Sequence, residues 1–211
     1  MDGNGKCSVL MLNGSPRTNG NTALAFREME SVFDELGVEY EDILIGKLAV
    51  RGCLACGRCS RTGKCVIDDI VNELAPKFEA ADGLVIGSPV YYGSANGTLV
   101  SALQRLFHST SFDKRMKVGA SVACARRSGC TATFDELNKF FTLSSMPVAS
   151  SRYWNNIYGG APGEAEADME GRTVARQLAR NMVFLMRSIR LGRQETGLPE
   201  EEPRAWTNFI R

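Results

Sequence analysis

Histidine is nearly missing from this chain: His108 is the only one in 211 residues. That leaves little room for a histidine-dependent catalytic triad, and His108, at the expected end of a helix, is expected to be structural. Net charge is also missing. A formal balance of +1 creates no field favouring nucleic acid or an anionic membrane, so a small or shape-matched partner is expected. Long apolar runs are absent: Val9 to Leu12 is far too short for a signal-peptide core or a membrane span. A cytoplasmic location with no membrane partner is the resulting expectation. Two nucleotide signatures are missing as well. Neither G-x-x-x-x-G-K-[ST] nor G-x-G-x-x-G occurs, which removes the triphosphatase P-loop and the dinucleotide fingerprint.

What is present begins with enough apolar material, 44% of residues, to bury a sizeable core. Short apolar runs alternate with stretches of helical period. Strands are expected at 7–13, 38–45, 83–88, 117–125 and 147–150. Helices are expected from Thr22 to Leu36, with Gly37 as its stop, and after Asp68 and Asp69. Others are expected from Ala95 to Phe107, around Phe134 to Phe141, and from Glu164 to Leu191. The last is acidic in its first turns and arginine-rich later, complementing the helix dipole. Alternation with short links predicts a parallel sheet covered by helices on both faces, with its ligand at the carboxyl ends of the strands. One domain is expected over 1–192, followed by a tail over 193–211, irregular from Gly197, whose Trp206, Phe209 and Ile210 predict docking on the core or on a neighbouring subunit.

Two loops fall where such a sheet holds its ligand. Gly14-Ser-Pro-Arg-Thr-Asn-Gly-Asn-Thr22 runs from the first strand into the first helix. Its free amides and helix dipole favour a phosphate, with Ser15, Arg17, Asn19, Asn21 and Thr22 adding donors. The third strand ends in Gly87-Ser-Pro-Val-Tyr-Tyr-Gly-Ser94, on the same edge. Pro89 fixes its turn, Gly93 permits close backbone approach, and amides from Val90 to Gly93 suit a heteroaromatic ring that Tyr91 or Tyr92 would cover. A third segment, Ala125 to Gly129, is expected at the border, where Arg126 or Arg127 would meet a phosphate or a nicotinamide nucleotide.

Four of the seven cysteines, Cys53, Cys56, Cys59 and Cys65, stand in one C-x2-C-x2-C-x5-C run within the loop 52–66. In a reducing compartment such clustering reads as metal or redox chemistry rather than disulfides, and an odd total argues against a closed disulfide set. Three readings stay open on the residues alone: an iron–sulfur cluster, redox-active thiols, or zinc. Cys7 and Cys124 are expected as small core residues, and Cys130 at the pocket edge.

The segments 13–22, 53–69 and 79–97, in this order and separation, resemble the NAD(P)H-dependent FMN reductase branch of the flavodoxin-like flavoproteins, and the compact cysteine run resembles that of the iron–sulfur flavoproteins. The resemblance implies a flavodoxin-like three-layer α/β sandwich with a five-stranded parallel sheet in the order 2-1-3-4-5. It implies FMN, its phosphate on Ser15, Arg17, Asn19, Asn21 and Thr22 and its ring against Pro89, Val90, Tyr91 and Gly93. It implies a [4Fe–4S] cluster on Cys53, Cys56, Cys59 and Cys65, and a homodimer or homotetramer. The function it implies is an oxidoreductase passing electrons from NAD(P)H, or a ferredoxin-like donor, through FMN to a small-molecule or redox-protein acceptor. A nonenzymatic flavodoxin-like carrier and a zinc or thiol-based binding module are the alternatives.

Overall fold

The computed structural model describes residues 6–203 together with 205, 207 and 209. Five strands form one parallel sheet: β1 (Ser8–Asn13), β2 (Glu39–Leu44), β3 (Gly83–Pro89), β4 (Val118–Ala125) and β5 (Asn156–Tyr158), in the order β2-β1-β3-β4-β5. This is the expected flavodoxin-like topology. The helices are α1 (Asn21–Leu36), α2 (Cys59–Thr62), α3 (Ile70–Ala80), α4 (Gly97–Ser109), α5 (Cys130–Leu143) and α6 (Met169–Thr196).

The period of two along β1 explains the layering. Val9 and Met11 join the core under α1 and α6, whereas Leu10 and Leu12 point to the opposite core under α3, α4 and α5. With both faces covered, β3 and β4 are buried almost throughout, which is why they read as continuous apolar runs.

Three arginines of α6 pair with carboxylates of α1. Arg172 and Arg176 both pair with Glu28, and Arg180 pairs with Glu35 at 2.7 Å. Burial alone would raise the Glu28 carboxyl, but hydrogen bonds from the two guanidinium groups hold it below its ordinary value.

Three expectations need correction. The fifth strand is not 147–150. That segment makes one isolated bridge, Gly119 to Val148, and the paired strand is Asn156–Tyr158. The chain bulges between them, and the Asn155 amide replaces ladder bonds by donating to the Ser121 carbonyl at 3.0 Å. A strand built on Asn155 and Asn156 carries no apolar signal. The last helix does not start at Glu164: residues 164–167 form a 3₁₀ turn, and Asp168 caps α6 by accepting the Gly171 amide at 2.9 Å. Within the cysteine loop, α2 supplies a turn of helix that the sequence reading lacked. In the tail, Phe209 is exposed, while Trp206 and Ile210 lie outside the described residues. The start of the tail is tied to the sheet's base by Arg115, which meets Glu201 at 3.1 Å.

Candidate functional site: a switch-point cleft and a cysteine pocket

At β1 and β3 the chain direction reverses across the sheet, β1 leading outward to β2 and β3 to β4. In such sheets the crevice beyond the carboxyl ends at that point is the ligand site. Here it is an open cleft of about 190 Å³ lined by Ser15, Arg17, Asn21 and Thr22 from one side and Pro89, Val90 and Tyr91 from the other. Cys124, Arg126 and Gly160 close its far wall. A cavity of about 200 Å³ opens at the opposite end of the sheet, but four of its charges form two internal pairs, Asp82 with Arg190 and Asp113 with Arg115, each at 2.8 Å.

The phosphate loop is held by hydrogen bonds that its own amides donate. Gly14 N donates to Gly87 O at 2.7 Å, Ser15 N to Asn13 Oδ1 at 3.0 Å, and Arg17 N to Ser15 Oγ at 3.1 Å. The first N–H groups of α1 have no side-chain cap, since Gly20 stands at the N-cap, and no acidic residue occupies the first turn. An uncapped helix start facing a cleft is a seat for an anion.

The structure separates the sequence-predicted residues into groups. Ser15, Arg17, Thr22, Pro89, Val90 and Tyr91 line the cleft together. Asn21 also lines it, but its side chain is occupied. Its Nδ2 donates to Ala161 O at 2.9 Å, and its Oδ1 accepts from Gly163 N at 3.1 Å and Ala165 N at 3.3 Å. It latches the 159–165 loop over the phosphate loop. A Cβ at Gly159 would lie 2.5 Å from Asn21 Nδ2, so only glycine lets the loop come this close. Asn19 is exposed and outside the cleft lining. Gly93 is also outside it and serves the turn: Tyr91 and Ser94 exchange backbone bonds of 2.9 and 3.1 Å around Tyr92 and Gly93, at φ +52° and +78°. Two consecutive positive φ values make the tight hairpin turn that glycine favours, and they leave Tyr92 fully exposed at its tip.

Sequence reasoning missed the 159–165 loop, whose signal was the run Gly159-Gly160-Ala161-Pro162-Gly163. Arg17 donates to Gly160 O at 3.3 Å, so the loop frames the cleft from the side opposite Tyr91. Of the two arginines considered for the border, Arg126 lines the cleft. Cys124 lines it too, and burial pushes its thiol up to about 11, so it stays protonated at neutral pH. Cys130 is buried beneath, also pushed up to about 11 by burial.

The cysteine loop lies along α4. Cys53, Cys56, Cys59 and Cys65 line one cavity with Arg105 and the exposed His108, and all four thiols are free. Among the described residues no three His, Cys, Asp or Glu side chains group as a site for one metal ion. The loop does direct N–H donors at its sulfurs. Ala55, at φ +52°, turns its N–H toward Cys53 Sγ at 3.4 Å, and Arg105 directs Nε and Nη2 to Cys65 Sγ, each at 3.3 Å. N–H donors aimed at cysteine sulfur are the usual surroundings of an iron–sulfur group.

Arg105 gave no signal in the sequence. It is 1% exposed, and its charge is balanced by a two-point pairing with Asp69 at 2.6 and 2.9 Å. Hydrogen bonding to Asp69 holds the guanidinium above its ordinary value, outweighing the loss of solvent. One helix thus serves both sites. At its start Asn96 caps α4 and donates its amide to Ser88 Oγ beside the cleft, while Arg105 stands roughly 12 Å further along the axis.

The chain is 34% identical over 190 residues to an iron-sulfur flavoprotein of Methanocaldococcus jannaschii, covering 86% of this chain and 98% of that protein. It is 30% identical over 189 residues to the iron-sulfur flavoprotein of Methanosarcina thermophila, covering 87% and 97%. Its fold is similar to that of RosB, solved with 8-demethyl-8-formylriboflavin-5'-phosphate, with a TM-score of 0.70 at 16% identity, over 97% of this chain and 92% of that one. Residues 7–159 match the sequence model of the NADPH-dependent FMN reductases. The chain belongs to this family, and its chemistry is FMN-dependent oxidoreduction.

Proposed function

We propose that this oxidoreductase takes electrons from NAD(P)H, or from a ferredoxin-like protein, into FMN seated in the switch-point cleft, with a [4Fe–4S] cluster on Cys53, Cys56, Cys59 and Cys65 as a second redox group, and hands them to a small molecule or a redox protein. The observation that carries the reading is that one cleft joins an uncapped helix start, suited to a phosphate, to a backbone turn at 89–93, suited to a flat ring. Bound FMN supplies the hydride- and electron-accepting chemistry, and the cluster one-electron transfer.

The chain's residues supply position. Ser15, Thr22 and the amides at the start of α1 bind the phosphate end, with Arg17 adding charge. Pro89, Val90 and Tyr91 orient the ring. Asn21 keeps the 159–165 loop closed beside it. Arg126 at the rim is placed to meet the phosphates of a nicotinamide nucleotide. No side chain is needed to move a proton, in keeping with a cleft that lacks histidine and holds Cys124 protonated.

We also propose assembly as a homodimer or homotetramer through the exposed aromatics near the carboxyl edge, among them Tyr92, Tyr153 and Trp154. A surface with net charge of only +1 gives no support to a nucleic-acid or lipid partner, and among the described residues no helix is long and apolar enough to cross a membrane.

The test is purification without oxygen, a visible spectrum, iron, sulfide and zinc assays, and titration with NADH and NADPH. Flavin bands under a broad absorbance, with about four irons per chain, support the full reading. Flavin bands alone retain the reductase and overturn the cluster. A colourless protein that fails to bind added FMN overturns both.

A further inference from the structure

We propose that Arg105 is the positioning residue of the cysteine site: it staples the two ends of the cysteine loop together, fixes the Cys65 sulfur as a hydrogen-bond acceptor, and thereby sets the reduction potential of the group the cysteines hold. The inference rests on the iron–sulfur reading above and concerns a residue outside the cysteine motif.

The geometry is specific. Arg105 Nη1 donates to Arg51 O at 3.1 Å, just before Cys53, and Nη2 to Ile67 O at 3.0 Å, just after Cys65. One side chain thus spans the loop from entry to exit. Nε and Nη2 then converge on Cys65 Sγ. Asp69 balances the charge while also capping α3 through Val71 N at 3.1 Å, so the guanidinium is anchored to a helix start and not to the loop alone.

A buried ion pair is weak evidence of stabilisation, because an apolar side chain of similar volume fills the same space without desolvating a charge. The return on burying Arg105 is its donors. α4 also reaches a second sulfur: the Cys59 thiol donates to the His108 carbonyl at 3.9 Å. The helix therefore seats two of the four sulfurs. Donors directed at a sulfur stabilise the extra negative charge of the reduced state, so they raise the potential of a cluster bound through it.

The test uses the full chain, purified without oxygen, as wild type, Arg105→Lys, Arg105→Gln and Asp69→Asn. With iron loaded, spectroelectrochemistry is expected to show the iron–sulfur midpoint moved to more negative potential in Arg105→Gln and by a smaller step in Arg105→Lys, whose ammonium still donates. Release of iron to a chelator should quicken about tenfold in Arg105→Gln, the weight of one charge-assisted hydrogen bond. With iron removed, hydrogen exchange at amides 51–67 should rise about tenfold in Arg105→Gln and Asp69→Asn, while β1 and β3 keep wild-type rates.

An unchanged midpoint in a folded Arg105→Gln, or unchanged exchange over 51–67, overturns the proposal. If Arg105→Gln does not fold, Asp69→Asn carries the exchange readout, since asparagine keeps the cap while the two-point anchor of the guanidinium is lost, and Arg105→Lys carries the midpoint. A wild-type chain that takes up no iron on reconstitution overturns the iron–sulfur reading. The exchange arm then decides separately whether Arg105 seats the loop: faster exchange supports it and unchanged exchange overturns it.

Discussion

The phosphate loop and the cysteine loop carry comparable densities of functional residues but are held by different means. The phosphate loop is short, buried at Ser15, Asn21 and Thr22, and closed by bonds from its own amides to the side chains of Asn13 and Ser15 and to the Gly87 carbonyl. The cysteine loop is exposed at Cys53 and Cys56 and has no core of its own. Its fixed points are imported: Arg105 from α4, and Asn72 from α3, which holds the backbone of Cys65 and Ile67. A loop that satisfies its own polar groups is ready before its ligand arrives, whereas one braced from outside stays sensitive to its braces and to what it binds.

The largest effect that separates the two is expected from Cys56→Ser. The contrast demands complete loss of bound iron with FMN content unchanged, read by iron assay and flavin absorbance on one sample. Loss of both together would break the contrast. Asn21→Ala should do the reverse. Freeing the 159–165 loop removes a latch of three hydrogen bonds, about 1–2 kcal/mol net, and weakens FMN binding roughly tenfold while iron content holds. Fluorescence titration of the iron-loaded protein checks it.

Glu28→Gln probes the scaffold beneath the phosphate loop and should cost about 1 kcal/mol at neutral pH. Because the folded-state carboxyl is held below its ordinary value, its contribution is complete above the unfolded value near 4.5 and is lost as pH falls through the lower folded value. Denaturant midpoints of wild type and Glu28→Gln should therefore differ at pH 7 and converge in acid, with iron and FMN content equal. The smallest effect is expected from Arg126→Ala. A solvated rim charge contributes under about 1 kcal/mol, so KM for NAD(P)H should rise up to about fivefold with kcat nearly unchanged.

How much of this was legible in the sequence follows from how local each signal is. β1, β3 and β4 are buried on both faces, and their apolar runs announced them. The Gly14–Thr22 loop was readable because its donors are contiguous. Asn21 shows the limit: an amide at the start of a helix reads as a phosphate donor until a loop 140 residues later claims it. β5 was misplaced because its bonds are shared with the side chain of Asn155, and no run of apolar residues marks such an arrangement. Arg105 was illegible because an arginine inside an amphipathic helix looks like a solvated residue. Only the return of Arg51, Cys65, Ile67 and Asp69 around it gives it partners.

The sequence by itself determined the alternation of strands and helices through β4, the parallel sheet, the phosphate loop and the four-cysteine run, because each depends on neighbours within about one turn of chain or on a repeating period. The tertiary structure decided which of the matching residues share a cleft, that Asn21 latches a loop, and that the cysteines are braced through Arg105. Those relations are contacts across many residues of chain, and burial and charge pairing fix them only once the layers have packed.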